Sequence, residues 1–275
     1  MKRSGRIVAF QGEHGAYSEQ AVLTHFGSTA VTKPCTTLKQ VFHSVEGRGA
    51  NYGVVPAENS LEGSVNQTYD LLLESSLKIT GEIKIRVSHC LLALRGTQTK
   101  DLRVVYSHPQ ALAQCATFME KLQVETQPTY DTAGSAKIIK ERRLRNSAAI
   151  ASERAADLYG LTVLKRNIED SLENFTRFFV IGLNDASPKG NDKTSVVFGT
   201  KHTPGSLHKA LSELATRKIN LTRIESRPIK GKPWEYHFFV DFEGHRTDPK
   251  CDEALEVLRR STTFLKILGS YPRAM

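Results

Sequence analysis

Near residue 190 the chain changes its plan. Before that point, short apolar runs able to form strands alternate with segments of helical periodicity. "RIVAF" (6–10), "YGVVP" (52–56), "IKIRVSHCLLAL" (83–94), "RVVYS" (103–107), "AAIAS" (148–152) and "RFFVIG" (177–182) read as strands. Helices are expected near 18–26, 36–47, 62–75, 109–121, 133–143 and 152–159. Interleaving of this kind predicts an α/β arrangement with helices on the sheet faces. "NDASPKGNDK" (184–193) then offers almost nothing apolar and reads as a linker. Beyond it the order is strand "TSVVFG", helix "GSLHKALSELATRK", strand "INLTRIESRPI", turn "KGKP", strand "WEYHFFVDF", helix "CDEALEVLRR" and strand "FLKILGSY". Leu207, Ala210, Leu211 and Leu214 share one helical face, and Trp234, Tyr236, Phe238, Val240 and Phe242 alternate as in a half-buried strand. The order βαββαβ predicts a ferredoxin-like second domain.

Composition narrows the function classes. With 275 residues the chain can bury one large core or two smaller ones. The four cysteines (Cys35, Cys90, Cys115, Cys251) form no CxxC or Cys/His pair at metal spacing, so reduced thiols in a cytoplasm and no structural zinc are expected. No apolar run reaches membrane-spanning length, and "MKRSGRIVAFQGEHG" lacks the apolar core of a signal peptide. The net charge of +9 raises two partners, nucleic acid or a small anion. The densest basic cluster, "KIIKERRLR" (137–145), has helical spacing without interleaved aromatics, which favours a solvated helix face over nucleic-acid binding.

Candidate chemistry sits in polar turns after strands, where open α/β sheets bind ligands. In "QGEHGAYSEQA" (11–21), Gly12 and Gly15 permit tight turning, the helix-start amides favour an anion, and Ser18 is a possible N-cap. The P-loop lysine and the Rossmann glycine spacing are missing, which disfavours a nucleotide. Glu58, Asn59 and Ser60 close strand "YGVVP" ahead of an amphipathic helix, a place for a carboxylate cradle or for simple capping. "SHPQALAQC" (107–115) has a capping-box pattern in Ser107 and Gln110 that leaves His108 and Gln114 unexplained. In "DTAGSA" (131–136), Thr132 and Ser135 can cap a helix or donate to an anion. Finally, "NFTRF" (174–178) places Asn174, Thr176 and Arg177 at the entry of a buried strand, where polar groups without partners are costly. Together these stretches suggest a cleft of hydroxyls and amides with no metal site and no covalent-nucleophile triad.

The chain resembles the prephenate dehydratase family with a C-terminal ACT regulatory domain. The resemblance rests on "GEHGAYSE" (12–19), "PAENSLEG" (56–63), "SHPQALAQC", "DTAGSA", "NFTRF" and "ESRP" (225–228), collinear over almost the whole chain. It implies a catalytic domain over 1–186, two α/β subdomains around a cleft as in periplasmic binding proteins, and an ACT domain over 193–275. It implies conversion of prephenate to phenylpyruvate with loss of water and CO₂, without a cofactor or metal. Aromatisation drives decarboxylation once the ring hydroxyl is helped to leave, so a donor at that hydroxyl is the main requirement. By resemblance Thr176 is that donor, with Glu58 and His108 beside it; a structural imidazole is the alternative for His108. Asn59, Ser60, Ser107, Gln114, Thr132, Arg177 and Phe178 are implied as substrate-binding. Feedback by L-phenylalanine is implied at Gly205, Ser206, Leu207, Asn220, Leu221, Glu225, Ser226, Arg227 and Pro228, between ACT domains of a homodimer or homotetramer. "GSLH" (205–208) departs from the family's "GALV"-like segment at His208. Two other readings stand: arogenate dehydratase, and a non-catalytic amino-acid sensor or solute-binding protein.

Overall fold

The computed structural model describes residues 5–229 and 231–274. The chain divides into two compact units, residues 1–68 with 83–178 and residues 69–82 with 179–275.

In the first unit, β1 (Ile7–Gln11) leads through α1 (Tyr17–Phe26), β2 (Val31–Cys35) and α2 (Leu38–Glu46) to β3 (Tyr52–Asn59) and the short β4 (Gly63–Ser64). Helix α3 (Asn66–Glu74) and β5 (Lys78–Arg86) follow, each shared with the second unit. The chain then builds β6 (Cys90–Ala93), β7 (Val104–Ser107), α4 (Pro109–Gln114), α5 (Ala116–Leu122), β8 (Glu125–Pro128), α6 (Thr132–Glu141), β9 (Ser147–Ala151), α7 (Glu153–Tyr159) and β10 (Thr162–Lys165), and returns along β11 (Phe175–Gly182). Two sheets result, β2-β1-β3-β11-β5 with β4 against β3, and β10-β6-β9-β7-β8. Parallel pairing of β1 with β2 and β3, and of β7 with β8 and β9, follows from the connecting helices. The expected single strand over 83–94 is two strands in two sheets, broken at Val87–His89. The expected helix over 109–121 is likewise two, broken at Cys115. Strands β2, β4, β8 and β10 were not expected; their short, polar-rich sequences carry little alternation. The two lobes and their double crossover, at 87–89 and 166–174, are the periplasmic-binding-protein-like plan.

The crossovers are hydrogen-bonded to each other. Val87 N donates to Asn174 O (2.8 Å), Ile168 N to His89 O (3.1 Å), and His89 N to the buried Glu169 carboxylate (2.8 Å). The glycine loop before α1 packs on the second lobe. Gly15 has φ +92, and a Cβ there would lie 3.0 Å from Ala155 Cα. Gly15 is therefore required both for conformation and for close approach.

In the second unit β12 (Asp192–Gly199), α8 (Ser206–Thr216), β13 (Leu221–Ile229), β14 (Lys232–Glu243), α9 (Pro249–Ser261) and β15 (Phe264–Pro272) realise the βαββαβ order. Its antiparallel sheet runs β13-β14-β12-β15. One face, through Val196, Phe198, Val240 and Phe242, packs with Ala210 and Leu214 of α8 and Leu255 and Leu258 of α9. Phe239 and Tyr271 instead meet Tyr69 and Phe179, with ring centroids 5.2 Å apart for Tyr69–Phe239. Lys266 Nζ donates to the carbonyls of Leu72, Leu73 and Ser75 at 2.6–2.9 Å, a cation on the carbonyl end of α3.

Candidate active site

In β3 and β11, successive side chains point to opposite sides of the sheet, and this sorts the motif residues. Asn59 on β3 meets Asn174 and Thr176, whereas Glu58 pairs with Arg177 at 3.0 Å. The Glu58–Arg177 ion pair thus occupies the opposite sheet face from Thr176. Asn59 is nearly buried because the whole of its amide is used. Its Oδ1 accepts from the backbone N–H groups of Leu61 (2.9 Å) and Glu62 (3.2 Å). Its Nδ2 donates to Asn174 Oδ1 (2.8 Å) and to Thr176 Oγ1 (3.1 Å). Thr176 therefore accepts one bond through oxygen and keeps its own proton as a donor. A bond received at oxygen also polarises the O–H.

The cavity beside Thr176 is small, about 110 Å³. Around it stand Tyr17, Asn59, His89, His108, Gln114 and Thr132, with Val87, Gln110 and Ala111. These side chains come from the carboxyl end of β3, from the starts of α1, α4 and α6, from the last residue of α4 and from a crossover, while Thr176 enters from the start of β11. The part built on β3 follows the rule that open α/β sheets bind beyond the strands' carboxyl ends. Gln114 sits at its base: Nε2 donates to Glu62 (2.8 Å), while Oε1 receives Asn174 Nδ2 (2.8 Å) and lies 3.1 Å from His89 Nε2. Tyr17 OH donates to Ser88 O (2.6 Å) and lies 3.2 Å from His89 Nδ1. Burial pushes the Tyr17 hydroxyl well above its ordinary value and lowers His89, so both are neutral at pH 7.

Several sequence expectations need correction. Helix α1 is N-capped by Ala16, not Ser18. The Gly15 amide is taken by Glu19 (2.8 Å), so it is not held open for an anion. Burial raises Glu19, but bonds from Gly15, His14, Thr32 and Arg154 outweigh it and hold the carboxyl below its ordinary range. The capping box does not form. His108 caps α4 through Nδ1, which accepts from Gln110 N (3.3 Å), and Ser107 is fully buried with its hydroxyl donated to Ile150 O (2.7 Å). Asp131, not Thr132 or Ser135, caps α6, accepting from Gly134 N at 2.8 Å.

The structure thus brings Thr176, Asn59, His108, Gln114 and Thr132 together around one cavity. Glu58, Ser60, Ser107, Arg177 and Phe178 do not line it. Ser60 instead ties β3 to β11, donating to Glu173 O (2.7 Å) and accepting from Phe175 N (2.9 Å), and Phe178 is in the core. Tyr17, His89 and Gln110 are lining residues that sequence reasoning missed. For His89 the signal was present: a Ser-His pair inside an otherwise strand-like run. Among the described residues no group of three or more His, Cys, Asp or Glu is placed to hold a metal, and no helix is long and apolar enough to cross a membrane.

In the second unit Gly205, Ser206, Leu207 and His208 join Thr200–Pro204, Tyr236 and Phe238 around a separate open pocket of about 540 Å³. Asn220, Leu221, Glu225, Ser226, Arg227 and Pro228 lie elsewhere. Arg227 donates to both oxygens of Asp70 (2.8 and 2.9 Å), Glu225 pairs with Arg223, and Ser226 and Pro228 are exposed. Among the described residues, its own chain neighbours aside, nothing lies within 4 Å of a Cβ placed on Gly205, so its φ of +79, not crowding, is what selects glycine there.

Residues 8–186 match the family model "Prephenate dehydratase" and residues 194–260 the model "ACT domain". The bifunctional chorismate mutase/prephenate dehydratase of Aquifex aeolicus is 47% identical over 98% of this chain and 74% of its own length. Arogenate dehydratase/prephenate dehydratase 2 of Arabidopsis thaliana is 44% identical over 96% of this chain and 72% of its own. Among solved structures, one described as GqqA, a novel type of quorum quenching acylase, has a TM-score of 0.89 at 38% identity, covering 98% of both chains. The prephenate dehydratase of Arthrobacter aurescens in complex with L-Phe also gives 0.89, at 33% identity over 97% of this chain and 90% of that one. The chain, with Thr176 and Asn59 at the heart of its cleft, belongs to the prephenate dehydratase family and carries a C-terminal ACT domain.

Proposed function

We propose that the cleft converts prephenate to phenylpyruvate with Thr176 as the donor to the departing ring hydroxyl. One observation carries the assignment: Asn59 occupies the acceptor side of Thr176 Oγ1 at 3.1 Å, which leaves the O–H for a group in the cavity. The reaction breaks the C4–OH and ring–carboxylate bonds. The electron pair of the carboxylate bond enters the ring as CO₂ departs, and the hydroxide takes up a proton to leave as water. A threonine hydroxyl is too weak an acid to supply that proton outright, so Thr176 polarises the leaving oxygen. The proton that completes the water comes from solvent. His108 Nδ1 accepts from Gln110 N, so its ring carries Nε2–H, a second hydrogen-bond donor for the leaving oxygen. Gln114 and Thr132 supply donors for substrate carboxylates. Glu58 and Arg177 hold the β3–β11 pair from the far face, and Ser60 ties the same strands.

A cavity of about 110 Å³ is below the usual ligand-site range of roughly 300–1,000 Å³, so substrate entry requires the lobes to part. The catalytic part is assigned to 1–186 and the ACT part to 193–275. L-phenylalanine is read as the effector, held between ACT domains of a homodimer or homotetramer. Gly205–Leu207 and Ser226–Pro228 do not line one pocket within the chain, which supports a site shared by two copies. The buried, reduced cysteines accord with a cytoplasmic setting.

Acyl transfer, the activity named for one structural relative, needs an accessible nucleophile. All four cysteines are buried, the hydroxyls of Ser60 and Ser107 are donated to backbone carbonyls, and Thr176 is bonded to the neutral Asn59 amide and not to a base that would activate it, so the dehydratase reading is preferred. Arogenate differs from prephenate only at the side-chain carbon, and a relative named for both keeps it as the second substrate to test. Turnover of both substrates by purified protein decides. Phenylpyruvate formed from prephenate is expected; binding without turnover of either compound would leave a sensor and end this reading.

A further inference from the structure

Tyr17 and His89 line the cavity, yet neither has a part in the reaction as described. The proton position on His89 follows from the amides around it, starting at a fixed point. Backbone N–H groups can only donate, so the Asn59 atom facing the amides of Leu61 and Glu62 is Oδ1. Asn59 Nδ2 therefore faces Asn174, and the Asn174 atom 2.8 Å away is Oδ1. Asn174 must then present Nδ2 to Gln114, whose facing atom is Oε1. The same Oε1 lies 3.1 Å from His89 Nε2, which can bond to it only by donating. Gln114 Nε2 is left facing the Glu62 carboxylate at 2.8 Å, as a donor should be. Every amide in the series then meets its neighbour donor to acceptor, and Gln114 Oε1 requires His89 to carry Nε2–H.

We propose that His89 is a positioning residue for the reaction, acting through Gln114. Its Nε2–H holds the Gln114 carbonyl oxygen toward the base of the cleft, so the amide end turned to Glu62 and the cavity is the donor. The chemistry at stake is anion recognition: an –NH₂ attracts a carboxylate, while a rotated carboxamide would present a carbonyl oxygen and repel it. Tyr17 flanks the ring from the other side: its hydroxyl donates to Ser88 O (2.6 Å), and its oxygen lies 3.2 Å from His89 Nδ1. His89 and Asn174 stand on the two crossovers, so the amide is oriented from the hinge and not from either lobe's rim. The inference rests on the dehydratase reading only for the identity of the anion.

Two substitutions of His89 test it. His89→Leu removes the donor; His89→Gln returns an N–H near the position of Nε2. In His89→Leu the KM for prephenate is expected to rise about tenfold or more, with kcat within about threefold, because a bond to a charged group has been lost. His89→Gln should recover most of that rise. Adding Gln114→Ala to His89→Leu should cost no more than Gln114→Ala alone, since both act on one amide. A lowered melting temperature with an unchanged KM, or additive effects in the double variant, would overturn the proposal. Should His89→Leu not fold, the ¹⁵N imidazole spectrum of the wild-type protein decides: a protonated Nε2 and bare Nδ1 are expected, and the reverse tautomer refutes the placement. That spectrum needs no substrate, so absent turnover by wild-type protein counts against the functional reading and not against this one.

Discussion

Replacing Thr176 by valine keeps the shape of the side chain and deletes one hydroxyl, which separates two effects. For folding, Asn59 Nδ2 loses its 3.1 Å bond to Thr176 but keeps the 2.8 Å bond to Asn174. One neutral hydrogen bond is worth about 1 kcal/mol, and a chain of this size shifts in Tm by roughly 2–4 °C per kcal/mol. For turnover, the valine offers nothing to the leaving hydroxyl. A preorganised hydrogen-bond donor to developing charge contributes about 10²–10³-fold, or about 2.7–4.1 kcal/mol of barrier at 1.36 kcal/mol per decade. The catalytic loss therefore exceeds the folding loss severalfold, and the two are read independently from phenylpyruvate formation and a thermal melt. Thr176→Ser retains the hydroxyl and should keep measurable turnover. Asn59→Ala removes the bond that orients and polarises Thr176, and should fall between the two. If Thr176→Val, folded and melting within a few degrees of wild type, keeps kcat within tenfold, the donor is some other group. A serine variant as damaged as the valine would equally break the argument.

Three further outcomes follow from particular contacts. Gly15→Ala places a Cβ 3.0 Å from Ala155 Cα at φ +92, so a loss of about 1–3 kcal/mol is expected in denaturant titration, together with weaker prephenate turnover. Glu19 has a folded pKa below its ordinary value of 4.5, so its stabilisation is fully present above that value and is lost as pH falls through the lower folded value. Glu19→Gln should therefore be less stable at neutral pH and show a flatter decline on the acid side; an acid-melting profile parallel to wild type would refute this. Gly205→Leu should abolish inhibition by phenylalanine with uninhibited kcat kept within a few-fold, because Gly205 faces open space among the described residues and needs positive φ. Undiminished inhibition would move the effector site away from this loop.

Much of the architecture was legible because period and punctuation are local properties. The alternation in "WEYHFFVDF" marked β14 and the apolar spacing in "GSLHKALSELATRK" marked α8, whereas the polar run read as a linker over 184–193 ends inside β12, whose first residues Asp192 and Lys193 are buried. The βαββαβ order needed nothing more. The collinear motifs of the family resemblance also pointed to Thr176, Asn59, Gln114, His108 and Thr132, because a motif match assigns residues position by position without needing the fold.

What the sequence could not decide was direction and partnership across long separations. Whether a strand residue faces the cleft or the far side depends on which strand lies beside it, and a residue's number carries no such information. Glu58 and Arg177 therefore looked like site residues and proved to be an ion pair on the opposite face of the sheet from Asn59 and Thr176. Ser107 looked like a cap or a ligand and is spent on Ile150 O, 43 positions away. His89 sits in a run that reads as one strand, and its place at the cleft is set only because the chain leaves one sheet for the other at Val87–His89. Tyr69–Glu82 continues a helix and strand of the first plan, yet Tyr69 stacks on Phe239, and Lys266 caps the helix from 191–194 positions away. Side-chain hydrogen bonds and aromatic contacts form wherever tertiary packing brings groups together, and that packing minimises burial cost over the whole chain, not over any window of it.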